Sequence, residues 1–303
     1  MSVDIIEQLV VDLSSTLEVP LLDSLRACLD DLTVDTDISY ASSLLLTSSA
    51  PQSLLTTLIM EENRDKNRMI TNARVRGLKL VADWIKTKGA NSVDTLAIAV
   101  IQQSLALYKT DESNEIKAAA LMLVRNVLRL RIKNILSEEA LRDLDIAAIV
   151  PSLLECLRFG KHSKGSKAEL FKVLGHLVAC FPLSSTVIES IPTLTRICTL
   201  TLQENFNLHA GAEPDLPAIG GAFSCLDRCL TVFPNCLNAS EFSALLRHIL
   251  TVLASVYQQD LKRYAIISKA LVGNYSSGEL LMLKFLSFKY IEVASAPWSF
   301  FPA

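Results

Sequence analysis

The sequence contains few of the residues that build turns and sheets. Only 6% of its 303 residues are aromatic, and it has ten glycines and ten prolines. So few turn residues argue against a loop-rich β protein. Long apolar runs are also missing, since the most apolar stretch near the C-terminus, Leu280–Ile291, is interrupted by Lys284 and Lys289. That stretch is shorter than the roughly 18 residues that a membrane-spanning helix requires, so we expect no membrane partner.

The chain has enough apolar residues to form a large core. Half of its residues are apolar and a fifth are charged, which excludes a disordered chain. At 303 residues it lies where single cores stop growing, so two domains or an elongated array are favoured over one globule. Its seven cysteines are an odd number and are scattered among apolar neighbours, as free buried thiols are. We therefore expect a reducing compartment, cytosol or nucleus.

The charge is distributed unevenly. Residues 1–63 carry 11 acids and one base, residues 64–172 carry 20 bases and 12 acids, and residues 173–303 carry 8 bases and 9 acids. The net charge of −3 therefore conceals a basic middle. Such asymmetry can mark a nucleic-acid face. An ordinary solvated helix surface explains the same charges, and charge alone leaves both interpretations open.

Apolar residues at helical spacing predict helix almost throughout, with polar residues that can cap the helix starts. Ser92, Ser113 and Asp145 each precede an apolar-periodic segment and are predicted N-caps. Pro182 and Pro234 each follow a phenylalanine and are predicted to end helices. No sustained period-2 alternation indicates a strand.

One apolar pattern recurs along the predicted helices. The template apolar-x-apolar-apolar-x-x-apolar-apolar begins at Leu78, Leu121, Phe171, Phe223 and Tyr264, so its offsets lie between 41 and 52 residues. Each matching helix follows another apolar helix, and these first helices are predicted at about 51–63, 92–109, 145–159, 187–203 and 240–257. The longest offset contains a predicted loop insertion, Asn205–Leu216.

A helix pair every 40–50 residues is the period of HEAT and armadillo repeats. Pro151 and Pro192 lie inside predicted first helices, where prolines are common in HEAT pairs. We therefore predict an all-α protein, an α-solenoid of about five to six HEAT/armadillo-like helix pairs. The predicted organisation is a solenoid over 1–272, with acidic N-terminal helices in 1–50 and five pairs in 51–272, followed by a divergent C-terminal helix and tail in 273–303. A solenoid presents an extended binding surface rather than a catalytic cleft.

Motifs that carry chemistry are missing from the sequence. There is no glycine-rich phosphate loop and neither a His-Arg-Asp nor an Asp-Phe-Gly triplet, so a kinase site is excluded within this chain. Cys225 and Cys229 share a predicted helix face near Cys236, but they fill apolar template positions without zinc-type ligand spacing. We expect no catalytic residue, no metal site, no cofactor and no small-molecule substrate.

Three basic features are candidates for contact with DNA or RNA. The first is the segment Gly160–Lys167, whose lysines precede a predicted helix and could follow a phosphate backbone without reading bases. The second is one face of a predicted helix, on which Arg125, Arg129 and Lys133 are spaced by four, with Arg131 nearby. The third is a basic run at Arg64, Lys66, Arg68, Arg74, Arg76 and Lys79. The candidate DNA-binding residues are Lys161, Lys164 and Lys167 from the first feature and Arg125, Arg129 and Lys133 from the second.

Five segments of the sequence together indicate a family: Ser49–Leu55, Leu78–Ile85, Glu115–Val124, Pro214–Leu226 and Gln259–Ala265. In the same order, they resemble the N-terminal region of DNA-dependent protein kinase catalytic subunits, within the phosphatidylinositol-3-kinase-related kinase family. The similarity covers roughly residues 45 to 272 and depends mainly on shared order and loop placement.

This resemblance implies a nuclear HEAT arm that receives double-stranded DNA ends, without sequence preference, together with the Ku heterodimer during non-homologous end joining. It also implies that Lys161, Lys164 and Lys167 fall where the family carries a lysine-containing loop close to DNA. The family's kinase domain lies far beyond this chain, so we expect a non-catalytic fragment. The alternative is a protein-binding HEAT scaffold of another family, with no DNA contact.

Overall fold

The computed structural model describes residues 2–46, 53–60, 68–160, 162–206 and 215–238, together with residues 240, 241, 244 and 247. Within these ranges the chain forms helices and no strand. The eleven α-helices are α1 Ser2–Ser15, α2 Val19–Asp30, α3 Asp35–Leu46, α4 Leu54–Ile59, α5 Arg68–Lys86, α6 Ala97–Thr110, α7 Asn114–Ile132, α8 Ile146–Phe159, α9 Lys164–Cys180, α10 Ser185–Phe206 and α11 Leu216–Val232. The all-α prediction is confirmed.

The helices are arranged in pairs whose second members pack on one another. Helix α5 packs against α7, α7 against α9, and α9 against α11, while α4, α6, α8 and α10 each lie against their own second helix. All template positions in these four second helices are buried except Leu230, which is half-buried. The apolar template is therefore the surface through which successive pairs stack, and the predicted α-solenoid is confirmed. The fifth template helix, 264–271, and the tail 273–303 lie outside the described residues.

Helices α1 to α3 join the solenoid at its N-terminal end. Helix α1 packs against α2, α3 and α4, and α2 packs against α5. A continuous buried core runs from Ile6 in α1 to Cys229 in α11. Lys88, which follows α5, donates hydrogen bonds to the main-chain oxygens of Leu29, Asp30 and Leu32. These carbonyls lie at the C-terminal end of α2, where a cation is favoured.

The predicted helix boundaries are partly right. Ser113 and Asp145 are N-caps, accepting hydrogen bonds from the amides of Ile116 at 3.4 Å and Ala148 at 3.0 Å. The N-cap predicted at Ser92 is wrong, because residues 88–96 form two 3₁₀ turns and α6 begins at Ala97. The reason is tertiary: Val93 is buried, and the carboxylate of Asp94 accepts hydrogen bonds from the amide and hydroxyl of Ser137.

The predicted prolines and the predicted loop can also be compared with the structure. Pro151 lies inside α8 and Pro192 inside α10, as predicted for first helices. Pro182 and Pro234 each follow the phenylalanine that caps α9 or α11, so both predicted helix ends are confirmed. Of the predicted loop 205–216, residues 207–214 lie outside the described residues.

Glycines permit the close approach of α9 and α11. A Cβ atom at Gly221 would lie 2.7 Å from the carbonyl oxygen of Ala168 and 2.8 Å from its Cα. A Cβ atom at Gly175 would lie 2.9 Å from the Cα of Cys225. These are backbone atoms, which cannot be moved aside like the end of a side chain. The two helices are therefore in contact nearly backbone to backbone.

We predict that Gly221→Ala lowers the free energy of unfolding by about 1–3 kcal/mol, the usual cost of overpacking a core. The matched control is Gly165→Ala in α9, where an added Cβ meets nothing within 4 Å. Alanine there should leave stability unchanged or raise it by up to about 1 kcal/mol through helix propensity. Urea denaturation followed by circular dichroism measures both. Equal stability of the two variants would contradict this account of the α9–α11 contact.

A buried ion pair connects α5 to the turn between α6 and α7. An Nη atom of Arg74 lies 2.9 Å from the carboxylate of Asp111, with the two side chains only 3% and 6% exposed. Arg74 also donates through Nε to the carbonyl oxygen of Leu58 at 3.0 Å, and Asp111 accepts from the amide of Ser113 at 2.8 Å. The pair therefore joins three consecutive elements of the solenoid.

We predict that Asp111→Ala lowers the free energy of unfolding by about 3–5 kcal/mol, because it leaves the Arg74 charge buried without a partner. Asp23→Ala is the control, since it breaks the exposed pair between Asp23 and Arg76, whose atoms are 3.4 Å apart. An exposed pair is worth about 0–1 kcal/mol. Thermal or urea denaturation distinguishes the two, and a small loss at Asp111 would show that the buried pair does not hold these elements together.

Candidate nucleic-acid interface

The lysine-rich segment enters a helix earlier than the sequence predicts. Helix α9 begins at Lys164, with Ser163 as its N-cap accepting from the amide of Ser166 at 3.2 Å. Lys164 and Lys167 therefore belong to the first turn of α9 rather than to a preceding loop. Lys167 is half-buried, while Lys161 lies outside the described residues and the side chain of Lys164 is not described.

The approach to this helix is fixed by hydrogen bonds. The amide of Gly160 donates to the carbonyl oxygen of Cys156 at 2.7 Å, and a ring nitrogen of His162 lies 2.6 Å from the same oxygen. The first turn of α9 carries lysines and no acidic residue. Because a helix N-terminus is already electropositive, those lysines are unfavourable there unless an anion approaches. The first turn of α9 is therefore suited to an anionic group.

In the second basic feature, an ion pair distinguishes Arg125 from Arg129 and Lys133. One Nη atom of Arg125 lies 2.9 and 2.8 Å from the two carboxylate oxygens of Glu169 in α9, which also accepts from Lys172 at 3.0 Å. Glu169 is buried, so this contact neutralises much of the Arg125 charge. Arg129 is half-buried and makes no ion pair with another described residue, and Lys133 is exposed at the C-cap of α7. Arg125, Arg129 and Lys133 thus share one helix face, but they differ in burial and in ion pairing.

The α7–α9 packing brings the two predicted features together. Arg125 on α7 contacts Glu169, which lies five residues after Lys164 and two residues after Lys167 on α9. The two features are separate in the sequence, which contains no sign of which helices are neighbours. Glu169 could have been suspected as a partner, since it is the only acidic residue of α9.

Two basic residues that the sequence analysis missed complete this surface. His176 on α9 is buried, and its Nδ1 lies 2.7 Å from the carbonyl oxygen of Lys172. Burial chiefly, together with the positive charges of Arg228, Arg125 and Arg129, lowers the pKa of His176 to about 4, although the hydrogen bond to the Lys172 carbonyl raises it. Arg228 on α11 is half-buried and makes no ion pair with another described residue. His176 therefore lies, uncharged, among three arginines from two other helices.

A signal for these residues was present in the repeat. His176 follows Phe171 by five positions, and Arg228 follows Phe223 by the same five. They occupy the same template position in consecutive second helices, and stacked helices bring equivalent positions side by side. The template predicts buried apolar positions only, so it did not indicate the polar position that His176 and Arg228 share.

Two of the six residues of the third basic feature form ion pairs with other residues of the fold. Arg74 is buried against Asp111, and Arg76 pairs with Asp23 on α2. Arg68 and Lys79 are exposed, and Arg64 and Lys66 lie outside the described residues. The structure therefore offers little support for this run as a contact surface.

The cysteines are free, and several lie in the core. Cys198, Cys225 and Cys229 are buried, and burial raises the pKa of the Cys198 and Cys225 thiols. The described residues contain no group of three or more histidine, cysteine or acidic side chains that could hold a metal ion. Cys225 and Cys229 fill the core positions that the template predicts for them.

Among the described residues, no helix has the length and apolar character needed to cross a membrane.

Comparison with known proteins identifies the family. A family model described as DNA-PKcs, N-terminal, matches residues 41–273. The chain belongs to the DNA-PKcs N-terminal family. The match confirms the resemblance found over roughly residues 45 to 272, and the region it describes does not include a kinase domain. Searches of curated proteins and of solved structures gave no match.

We predict that the pKa of His176 makes this DNA-PKcs N-terminal chain less stable in mild acid. A folded-state pKa of about 4, against 6.5 for an ordinary histidine, means that the unfolded chain binds more protons between these values. Stability should therefore fall as the pH falls from 6.5 to 4, with up to about 3 kcal/mol due to His176. In His176→Gln this component disappears. Urea denaturation at several pH values tests it, and parallel pH profiles for the two proteins would contradict it.

Proposed function

We propose that the chain is a non-catalytic HEAT scaffold that contributes to the engagement of DNA ends and of the Ku heterodimer in nuclear double-strand break repair by non-homologous end joining. Membership of the DNA-PKcs N-terminal family is the observation that carries this proposal. The mechanism is phosphate neutralisation by lysines and arginines, without base readout, so binding is independent of sequence.

Two features of the molecule support DNA contact at α9. The first turn of α9 combines lysines with helix amides and contains no acidic residue. On the adjacent α7, Arg129 and Lys133 retain charges without a described ion-pair partner. Lys161, Lys164, Lys167, Arg129 and Lys133 are the proposed phosphate contacts, and Arg125 contributes less because Glu169 already binds it.

A protein-binding scaffold without DNA contact is the competing function. The Arg125–Glu169 pair favours it to a degree, because part of the basic charge is satisfied within the fold. Both functions use the same surface, so a measurement with DNA separates them.

We predict that the chain binds a short DNA duplex with an affinity that falls steeply with salt. If about three to five cations engage, log affinity should fall with log salt at a slope of about −3 to −4. Fluorescence anisotropy with two duplexes of unrelated sequence, at several salt concentrations, gives the slope and tests sequence independence. No binding at low salt would leave the protein-binding scaffold as the better interpretation.

A charge-matched pair of triple variants locates the contact. Lys161→Ala, Lys164→Ala and Lys167→Ala together should weaken binding and make the slope shallower by about three, roughly one per phosphate contact. The control replaces Lys86, Lys109 and Lys117, which belong to α5, α6 and α7, and changes the net charge equally. Equal effects of the two triple variants would remove the α9 N-terminus from the interface.

A further inference from the structure

We propose that Arg129 and Arg228 form a second phosphate-binding position, about halfway along the solenoid surface formed by α7, α9 and α11, and that one DNA duplex lying along α9 occupies this position and the α9 N-terminus together. This inference rests on the proposed DNA binding. It adds Arg228, which the sequence analysis did not select, and it specifies the direction of the duplex.

Three helices bring the arginines to one place. Helix α9 packs between α7 and α11, and Arg129 and Arg228 lie on its two sides. Both lie close enough to His176 on α9 for their charges to act on its imidazole. The Cys180 thiol of α9 donates to the carbonyl oxygen of Leu128, next to Arg129, at 3.4 Å, and Cγ of Arg228 lies over Gly175. The two arginines therefore lie on either side of the C-terminal part of α9, although 99 residues of sequence separate them.

Gly175 lies under the side chain of Arg228. A Cβ atom at Gly175 would lie 3.5 Å from Cγ of Arg228, so the stem of this arginine passes over the glycine at van der Waals distance. The same Cβ atom would lie 2.9 Å from the Cα of Cys225, so the glycine lets the α11 backbone approach α9 closely. This close approach places the Arg228 side chain against α9.

Among the described residues, no acid forms an ion pair with either arginine of this position. Glu169 is bound to Arg125 and Lys172, whereas neither Arg129 nor Arg228 forms an ion pair with a described residue. Two half-buried guanidinium groups on either side of α9 suit a phosphate, which arginine binds in a bidentate geometry. His176 is uncharged there, and a bound phosphate would favour its protonated form.

The spacing of the two positions suits a single duplex. Lys167 and His176 are nine residues apart on α9, which is about 14 Å along the helix axis. The major groove of B-form DNA is about 12 Å wide between its phosphate backbones. A duplex along α9 could therefore place one strand's phosphates at the lysines and the other strand's phosphates at the arginines.

The test uses the full chain, a 20-base-pair duplex and the variant Arg129→Gln/Arg228→Gln. We expect roughly tenfold weaker binding at moderate salt and a slope shallower by about one, since the lysines account for about three of the total slope of about −3 to −4. The control is Arg142→Gln/Arg196→Gln, which removes the same charge from exposed residues, one after the 3₁₀ turn Glu139–Leu141 and one on the first helix α10. Arg129→Lys/Arg228→Lys should retain most of the binding, and circular dichroism checks that each variant is folded.

NMR titration of the His176 imidazole provides a readout that a purely structural effect of the arginines would not change. Saturating duplex should raise the pKa of His176 from its low value in the free chain, because a bound phosphate offsets the arginine charges. If wild type binds the duplex and the lysine variant weakens it, but the arginine variant behaves like its control and the His176 titration does not move, this inference is wrong while the proposed function stands. If wild type does not bind the duplex, the proposed function fails first.

Discussion

The apolar contact between successive second helices is the constraint on which the rest of this structure depends. A single helix pair cannot bury its own apolar face, so each pair is stable only against its neighbours. The template positions of α5, α7, α9 and α11 provide that contact, and the close approach at Gly175 and Gly221 shows how tightly it is made. Equivalent positions in the repeat therefore become neighbours in space.

The polar contacts between helices follow the same period. Asn126 donates to the carbonyl oxygen of Ala82 across 44 residues, and Arg125 reaches Glu169 across 44. Ser137 reaches Asp94 across 43, and the thiol of Cys180 reaches the carbonyl oxygen of Leu128 across 52. Each of these bonds joins one repeat to the next. Local sequence could reveal the period, but it could not reveal which polar side chains meet across it.

This distinction explains how much the sequence could predict. The helix pairs, the caps at Ser113 and Asp145 and the interior prolines depend on local patterns, and the structure agrees with them. The start of α6 depends instead on the bond between Asp94 and Ser137 in the next repeat, so local capping rules placed it wrongly at Ser92. Likewise, charge spacing placed Arg125 on a basic face, whereas only the packing of α9 shows that Glu169 binds it.

The acidic N-terminus and the basic middle are partly complementary within the molecule. Asp23 on α2 pairs with Arg76 on α5, and Arg26 on α2 pairs with Asp83 on α5 at 2.9 Å. Lys88 binds the C-terminal end of α2, and Arg74 is buried against Asp111. Part of the basic middle is thus used to attach the N-terminal helices and to join the first repeats. Bases that form no ion pair with a described residue remain on α5, α7, α9 and α11, for example Lys79, Arg129, Lys167 and Arg228.

The Glu169 carboxylate divides the remaining positive charge along α9 into two positions. A buried carboxylate between Arg125 and Lys172 fixes the position of α9 against α7, but it also removes the positive charge nearest the N-terminal half of α9. Among the described residues, the bases on this surface without an ion-pair partner are then Lys167 at the start of α9 and the pair Arg129 and Arg228 toward its C-terminal end. Two electropositive positions separated by a neutralised one favour a ligand with regularly spaced negative charges over a single compact anion. A nucleic-acid backbone has that charge pattern, so the arrangement of acids, as well as that of bases, supports α9 as the axis of the interface.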